Sequence, residues 1–205
     1  MKIVRTTFFS IGSNVGDRLG HLQQAVDELN AQVGHIVRLS SVYQSSSWGY
    51  EGEEFLNMCV EVSTSLTPEM VLEKILAIES GLGRTRKPGG SYEDRILDID
   101  LLFFEDEVIF YDELKVPHPR MLERRFVLLP LSEIAPNFIH PIAKKSIQSC
   151  LESCPDKGLV EKIDQSVIKP LTLLDKYNYI AIEGNIGSGK TSLTKKIQNI
   201  VQVIS

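Results

Sequence analysis

The sequence contains an apolar run, residues 96–104, that is interrupted only by Asp98 and Asp100. A run of this length and composition is typical of a strand inside a sheet, and alternate residues of a strand share a face. The two carboxylates are therefore expected on one face, about 7 Å apart along the backbone. Two buried anions are costly unless a cation is bound beside them, and oxygen ligands suit Mg²⁺. The alternative is a solvated strand face.

Strand and helix patterns alternate along the rest of the first 150 residues. Helices are predicted from Asp17 to about Val33 and from Thr67 to about Gly81, and strands over residues 3–11, 36–43, 57–63 and 96–104. This order predicts an α+β fold of the ferredoxin-like kind, with helices on one face of an antiparallel sheet. Residues 116–151 are expected to add loops and short helices.

The last part of the chain carries a phosphate-binding signature. A predicted strand precedes residues 184–191, which match the P-loop pattern through Gly184, Gly189, Lys190 and Thr191. The segment resembles the start of a deoxynucleoside kinase, but too few residues follow for the parallel sheet of such an enzyme. We therefore expect a domain over residues 1–160, a linker over 161–177 and an inactive, incomplete kinase fragment over 178–205.

Basic residues lie on both sides of the acidic strand. Guanidinium groups bind phosphate oxygens in pairs and stay charged at every relevant pH, and a glycine-bearing loop could close over a phosphate chain. A basic loop that pairs with surface acids is the alternative. The residues concerned are Arg84, Arg86, Lys87 and Arg95 before the strand, and His118, Arg120, Arg124 and Arg125 after it.

The amino-acid composition argues against some classes of function. Hydrophobic residues make up 42% of the 205 residues, charged residues 24%, and the net charge is −5. These values are typical of a globular protein and argue against nucleic acid as the main partner. The sequence has no long apolar stretch and no signal-peptide pattern, so a cytoplasmic protein without membrane or nucleic-acid partners is expected.

The motifs together resemble one family, 6-hydroxymethyl-7,8-dihydropterin pyrophosphokinase, over residues 1–150. The marks follow one another at workable spacings, and their combination is specific although each is weak alone. In chain order they are residues 11–14, 55–57, 79, 83, 84, 86, 95–100, 116–121, 124 and 126.

The resemblance implies a diphosphotransferase with ATP as co-substrate. It implies that Asp98 and Asp100 hold two Mg²⁺ ions on the ATP phosphates. It also implies that seven residues contact ATP. They are Glu79, Arg84, Arg86, Arg95, Leu101, His118 and Arg124. Arg84 and Arg95 join the two aspartates as the catalytic residues. Glu79 lies on the inward stripe of its predicted helix, and an exposed, frayed helix end is the alternative for it.

The same resemblance implies a pocket for the pterin. Phe55 and Phe126 would sandwich its ring, Asn57 would bind its edge, and Ser45, Ser46 and Trp48 would complete the pocket. Aromatic stacking suits a flat heterocycle, although core packing is the alternative role for the two phenylalanines. The chain departs from the family pattern at Phe55 and Tyr92, and Ser45–Ser46 replaces a common Thr-Pro pair.

The expected reaction is an in-line attack of the pterin hydroxymethyl oxygen on the β-phosphorus of ATP, with AMP as the leaving group, in folate synthesis. Two other functions are compatible with parts of the sequence. The P-loop could make the chain a piece of a bifunctional protein with nucleoside kinase activity. A ferredoxin-like sheet could also bind RNA, against which the net charge and the lack of paired aromatic residues on a central strand argue.

Overall fold

The computed structural model describes residues 3–47, 52–83, 94–111 and 113–171. The chain divides into one compact unit, Met1–Lys169, and a second, Pro170–Ser205. The second unit lies almost entirely outside the described residues. The P-loop residues Gly184, Gly189, Lys190 and Thr191 lie outside them as well, so the kinase fragment stays a prediction.

Helices and strands follow the predicted order through the first unit. The α+β class and the strand–helix–strand–strand–helix–strand series are confirmed, with the second predicted strand divided in two. The elements are β1 (Arg5–Ser13), α1 (Arg18–Gln32), β2 (His35–Leu39), β3 (Tyr43–Ser45), β4 (Phe55–Thr64), α2 (Pro68–Gly81), β5 (Asp98–Phe104), β6 (Ile109–Phe110), β7 (Lys115–Val116), α3 (Arg125–Ile134), α4 (Ile147–Glu152) and β8 (Val160–Lys162).

The predicted helix starts have clear local causes. Asp17 is the N-cap of α1, and its side chain accepts a hydrogen bond from the backbone N–H of Gly20. Thr67 caps α2 in the same way, and Pro68 occupies the first turn, where its missing N–H has no intrahelical partner to lose. Both sequence predictions are therefore confirmed.

The main sheet is antiparallel, with the order β5-β1-β4-β3-β8, and β2 also pairs with β4. The prediction that the acidic strand lies inside the sheet is wrong, because β5 pairs only with β1 among the described strands. Its apolar composition has a different cause. Residues on both of its faces are buried by packed helices, so an edge strand can carry the composition of a central one.

Helices cover both faces of the sheet, whereas the sequence predicted helices on one face. Neighbouring residues of β1 show the reason, since Phe9 packs into the core beneath α1 and α2 while Phe8 packs into a second core with α3 and α4. Both are almost fully buried. Alternate strand residues point to opposite faces, so two apolar faces require two helical layers.

The C-terminal part of the first unit joins the sheet. β8 pairs antiparallel with β3, and Ile163 and Val167 pack against the core beneath α1. Gln23 of α1 donates to the carbonyl of Ile168 and accepts from its backbone N–H, at 3.0 and 2.7 Å. The first residues of the predicted linker are therefore part of the folded unit. Among the described helices, none is long and apolar enough to cross a membrane.

Candidate active site

The acid pair lies on β5, and both carboxylates line one cavity. Their side chains are partly exposed, Asp98 at 23% and Asp100 at 30%, while Ile99 between them is buried. The neighbouring strand β1 places Ser10 opposite Asp100 and Gly12 opposite Asp98. The predicted shared face is therefore present in the structure.

Two arginines neutralise the acid pair. Arg95 Nη1 lies 2.6 Å from Asp98 Oδ2, and Arg124 Nη1 lies 3.2 Å from Asp100 Oδ2. Both arginines line the same cavity as the acids, and the Arg124 side chain is only 9% exposed. Charge-assisted contacts of this kind hold the guanidinium groups beside the cavity, where phosphate oxygens could replace the carboxylates as acceptors.

His118 lies next to this group, with Nε2 3.8 Å from Asp100 Oδ2. Burial, followed by the nearby Arg124 cation, lowers the pKa of His118 from 6.5 to about 4, so the ring is neutral near pH 7. Its Nδ1 accepts a hydrogen bond from the Arg120 N–H at 3.3 Å, which leaves the ring hydrogen on Nε2. The imidazole therefore presents an uncharged N–H donor toward Asp100.

Glu79 is buried at the end of α2 and is only 2% exposed. Its Oε1 accepts a hydrogen bond from the backbone N–H of Ile99 at 2.8 Å. The inward position predicted from its helix stripe is confirmed. The alternative prediction, an exposed and frayed helix end, is wrong. This contact fixes the strand midway between the two acids, while a contact with a nucleotide stays a prediction.

A second cavity lies beside the first and shares Asp100 with it. Leu101 and His118, both predicted on the nucleotide side, line this cavity. The rest of its lining combines apolar side chains, among them Leu72 and Leu76 from α2, with the charged residues Glu113 and Lys115. Such a surface suits a flat ring that continues into a charged chain.

The uncharged part of the first cavity contains the described residues predicted for the pterin. Asn57 is 3% exposed and donates through Nδ2 to Ser45 Oγ at 3.0 Å. A Cβ atom at Gly12 would lie 2.9 Å from Asn57 Oδ1, so glycine leaves the space that this amide occupies. The predicted residues that line this part are Ser45, Ser46, Phe55, Asn57 and Phe126. Trp48, Arg84, Arg86, Lys87 and Tyr92 lie outside the described residues.

Sequence reasoning gave no role in the site to three residues, Ser10, Gly12 and Asn14. Ser10 and Gly12 line the cavity because β1 pairs with β5 in a register that places them opposite Asp100 and Asp98. The sequence does not reveal this register. Asn14, only 3% exposed, exchanges hydrogen bonds with Arg95: its N–H donates to the Arg95 carbonyl at 3.1 Å, and its Oδ1 accepts from the Arg95 N–H at 2.6 Å. Its Nδ2 also donates to Asp94 Oδ1 at 2.6 Å. The available clue was the place of residues 11–14 among the marks of the family resemblance, which gave these residues no role in the site.

Comparisons with known proteins show which family this chain resembles. The family model for 7,8-dihydro-6-hydroxymethylpterin-pyrophosphokinase matches residues 8–136. The 2-amino-4-hydroxy-6-hydroxymethyldihydropteridine pyrophosphokinase of Aquifex aeolicus is 42% identical over 144 residues, which cover 70% of this chain and 88% of the relative. The folic acid synthesis protein FOL1 of Dictyostelium discoideum is 37% identical over 157 residues, which cover 76% of this chain and 23% of the relative.

A solved structure supports the fold alone. Wild-type HPPK-DHPS of Plasmodium falciparum superposes with a TM-score of 0.63 at 16% identity, over 75% of this chain and 45% of that one. The chain therefore spans less than half of the solved protein. The family match ends before the P-loop signature and gives the deoxynucleoside kinase interpretation no support. Since the family model covers more than half of the sequence, and the Aquifex relative is 42% identical over most of its own length, the chain belongs to the 7,8-dihydro-6-hydroxymethylpterin-pyrophosphokinase family.

Proposed function

We propose that the chain transfers a diphosphate group from ATP to the hydroxymethyl group of 6-hydroxymethyl-7,8-dihydropterin, with release of AMP, as a step of folate synthesis. One observation carries this proposal. A single cavity joins a carboxylate pair and two arginines to an uncharged part lined by two phenylalanines and an amide. A phosphate chain and a flat ring can therefore meet in one place.

Asp98 and Asp100 are the residues that would hold Mg²⁺. The donor set fits, because both carboxylates lie on one face, stay partly exposed and offer the hard oxygen ligands that Mg²⁺ prefers. When bound, Mg²⁺ neutralises phosphate charge and orients the transferred group. Within the described residues, no group of three or more His, Cys, Asp or Glu side chains forms a metal cage. This is compatible with an ion whose remaining ligands come from substrate phosphates and water.

Arg95 and Arg124 bind the phosphate chain in this proposal. Each guanidinium is already held against one carboxylate, and phosphate oxygens offer the same kind of acceptor. Arg95 is fixed through its backbone by Asn14, so its side chain starts from a defined position. Positive charge placed in advance around the β-phosphorus stabilises the transition state without reorganisation during the reaction.

His118 contributes a neutral donor beside these charges. Its Nε2 hydrogen can bond a phosphate oxygen without adding a proton that must later be released. The adjacent cavity lined by Leu72, Leu76 and Leu101 takes the base and sugar of the nucleotide in the proposed complex. The triphosphate then runs from this cavity to the acid pair, because Asp100 lines both.

Phe55 and Phe126 stack on the pterin, and the Asn57 amide binds the polar edge of its ring. Ser45 fixes the orientation of that amide by accepting its Nδ2 hydrogen. The hydroxymethyl oxygen then faces the β-phosphorus. A new bond forms between this oxygen and the β-phosphorus while the bond from the β-phosphorus to the bridging oxygen of AMP breaks, and the hydroxyl proton leaves to solvent. Positioning and charge account for most of the acceleration in such reactions.

Release of AMP tests the proposal directly. The full chain is incubated with ATP and Mg²⁺, with 6-hydroxymethyl-7,8-dihydropterin or with the 6-methyl analogue that lacks the acceptor oxygen. We expect one AMP for each pterin diphosphate formed, and no AMP above background with the analogue. AMP formation that is equal with both pterins, or absent with both, would contradict the proposed function.

A further inference from the structure

The start of α3 receives its backbone cap from a distant part of the chain. Arg124 is the N-cap residue, and its side chain makes no capping hydrogen bond to this helix in the described structure. Instead, the N–H of Arg125 donates to Asp156 Oδ2 at 3.0 Å. The first N–H groups of a helix lack intrahelical acceptors, so an aspartate here satisfies one of them and complements the helix dipole.

The capped residue stands between two residues of the site. Arg124 precedes it and contacts Asp100, and Phe126 follows it and lines the uncharged part of the cavity. The guanidinium carbon of Arg124 lies 5.8 Å from the centre of the Phe126 ring. A shift of the backbone at Arg125 would therefore move a phosphate-side group and a ring-side group together.

Asp156 is itself held in place. Its Oδ1 accepts a hydrogen bond from the N–H of Gly158 at 2.8 Å, so both carboxylate oxygens have defined donors. On one side of it, Cys154 is buried in the core with α3 and α4. On the other side, β8 pairs with β3, the strand that carries Ser45. The carboxylate is therefore anchored to the folded unit at both ends of its segment.

We propose that Asp156 is a positioning residue for the pyrophosphokinase reaction, which holds the start of α3 so that Arg124 and Phe126 face the cavity. The inference rests on the proposed function. It concerns a residue beyond the range that the family model matches, which ends at residue 136. Asp156 acts through the backbone of Arg125 and touches neither substrate.

The test compares Asp156→Ala with Asp156→Asn, using Asp164→Ala as a matched control. Asn keeps one oxygen acceptor, which can face the Arg125 N–H while its amide nitrogen takes the place of Oδ1 opposite the Gly158 N–H, whereas Ala removes both acceptors. Asp164 is an exposed aspartate of the same C-terminal segment, and its replacement removes the same charge. Steady-state kinetics with ATP and the pterin are measured well below the melting temperature of each variant, which is determined in parallel.

We expect Asp156→Ala to lower kcat/KM for the pterin by roughly tenfold, through both a lower kcat and a higher KM, because small displacements in such sites are costly. Asp156→Asn should recover most of the activity lost in Asp156→Ala, because it loses only the acceptor of the Gly158 N–H, and Asp164→Ala should match the wild type. Three results would overturn the inference: an unchanged Asp156→Ala variant, an Asn variant as impaired as the Ala variant, or outright unfolding of the Ala variant. A wild-type chain without AMP release would instead overturn the proposed function.

Discussion

The candidate active site has two parts with opposite chemistry. The charged half consists of Arg95, Asp98, Asp100 and Arg124, which form two ion pairs across the cavity wall. The neutral half consists of Ser45, Ser46, Phe55, Asn57 and Phe126, where a buried amide-to-hydroxyl hydrogen bond lies beside two aromatic rings. The two halves share one cavity but differ in what must change when substrates bind.

The charged half has to exchange partners, because its guanidinium groups now contact the same carboxylates that would hold a metal. The neutral half needs no such exchange, since Asn57 is already oriented by Ser45. Substitutions in the two halves should therefore change different kinetic constants. Charge developing in the transition state is met by the charged half, so losses there fall on kcat, whereas losses in the neutral half fall on the KM for the pterin.

The largest expected effect comes from removing one charge of the acid pair. Asp98→Asn and Asp100→Asn keep the side-chain shape and an oxygen acceptor for the paired arginine, but they weaken metal and phosphate organisation. We expect kcat to fall about a thousandfold for each variant. Melting curves should show that both variants remain folded, and turnover is measured as AMP release. If kcat fell by less than tenfold in both variants, the charged half would not contribute to the chemical step as proposed.

The next effect should separate the two halves. Phe126→Ala removes one face of the proposed ring sandwich, and we expect the KM for the pterin to rise about thirtyfold while the KM for ATP changes little. Phe110→Ala is the matched control, because Phe110 is 59% exposed on β6. Since Phe126 also packs against the second core, stability is measured alongside. If the KM for ATP rose more than the KM for the pterin, the division of the site into a charged and a neutral half would be contradicted.

The sequence predicted the charged half better than its surroundings. The shared face of Asp98 and Asp100 follows from the two-residue period of a strand, which is a local property. Arg95 was predicted as a phosphate ligand rather than as the partner of Asp98, although this ion pair spans only three residues. The neutral half was predicted through resemblance alone, because aromatic and amide side chains in a strand pattern are equally typical of an ordinary core.

Long-range pairing accounts for what the sequence did not predict. Asn14 meets Arg95 across 81 positions, and Asp156 meets Arg125 across 31. The edge position of β5 and the second helical layer depend on which strands pair and which faces remain apolar. Local periodicity carries no information about partners, since a given strand pattern fits several registers and neighbours.

His118 lies beside the charged half but is itself uncharged near pH 7. Its folded pKa of about 4 is below the ordinary value of 6.5, so between these values the unfolded chain binds a proton that the folded chain does not. The contribution to stability is complete above pH 6.5 and is lost as the pH falls toward 4.

His118→Gln removes this titration while keeping a polar side chain. We expect the wild type to lose about 2 kcal/mol more stability than the variant between pH 7 and pH 4.5. Urea unfolding of both proteins at the two pH values measures the difference, in which the shared carboxylate contributions cancel. Equal losses would mean that His118 is protonated in the folded chain and belongs to the charged half.

The smallest effect is expected from Ser45→Ala in the neutral half. The substitution removes the acceptor of the Asn57 Nδ2 hydrogen at a buried position, which costs about 1 kcal/mol and corresponds to a rise of roughly fivefold in the KM for the pterin. The kcat and the KM for ATP should remain close to the wild type, because the charged half is unchanged. Ser132→Ala on α3 is the matched control. It also removes a serine hydroxyl, which in the wild type donates a hydrogen bond to the Leu129 carbonyl. If Ser45→Ala lowered kcat and left the KM for the pterin unchanged, the orientation of Asn57 would serve the chemical step, and the two halves could not be separated by these kinetic constants.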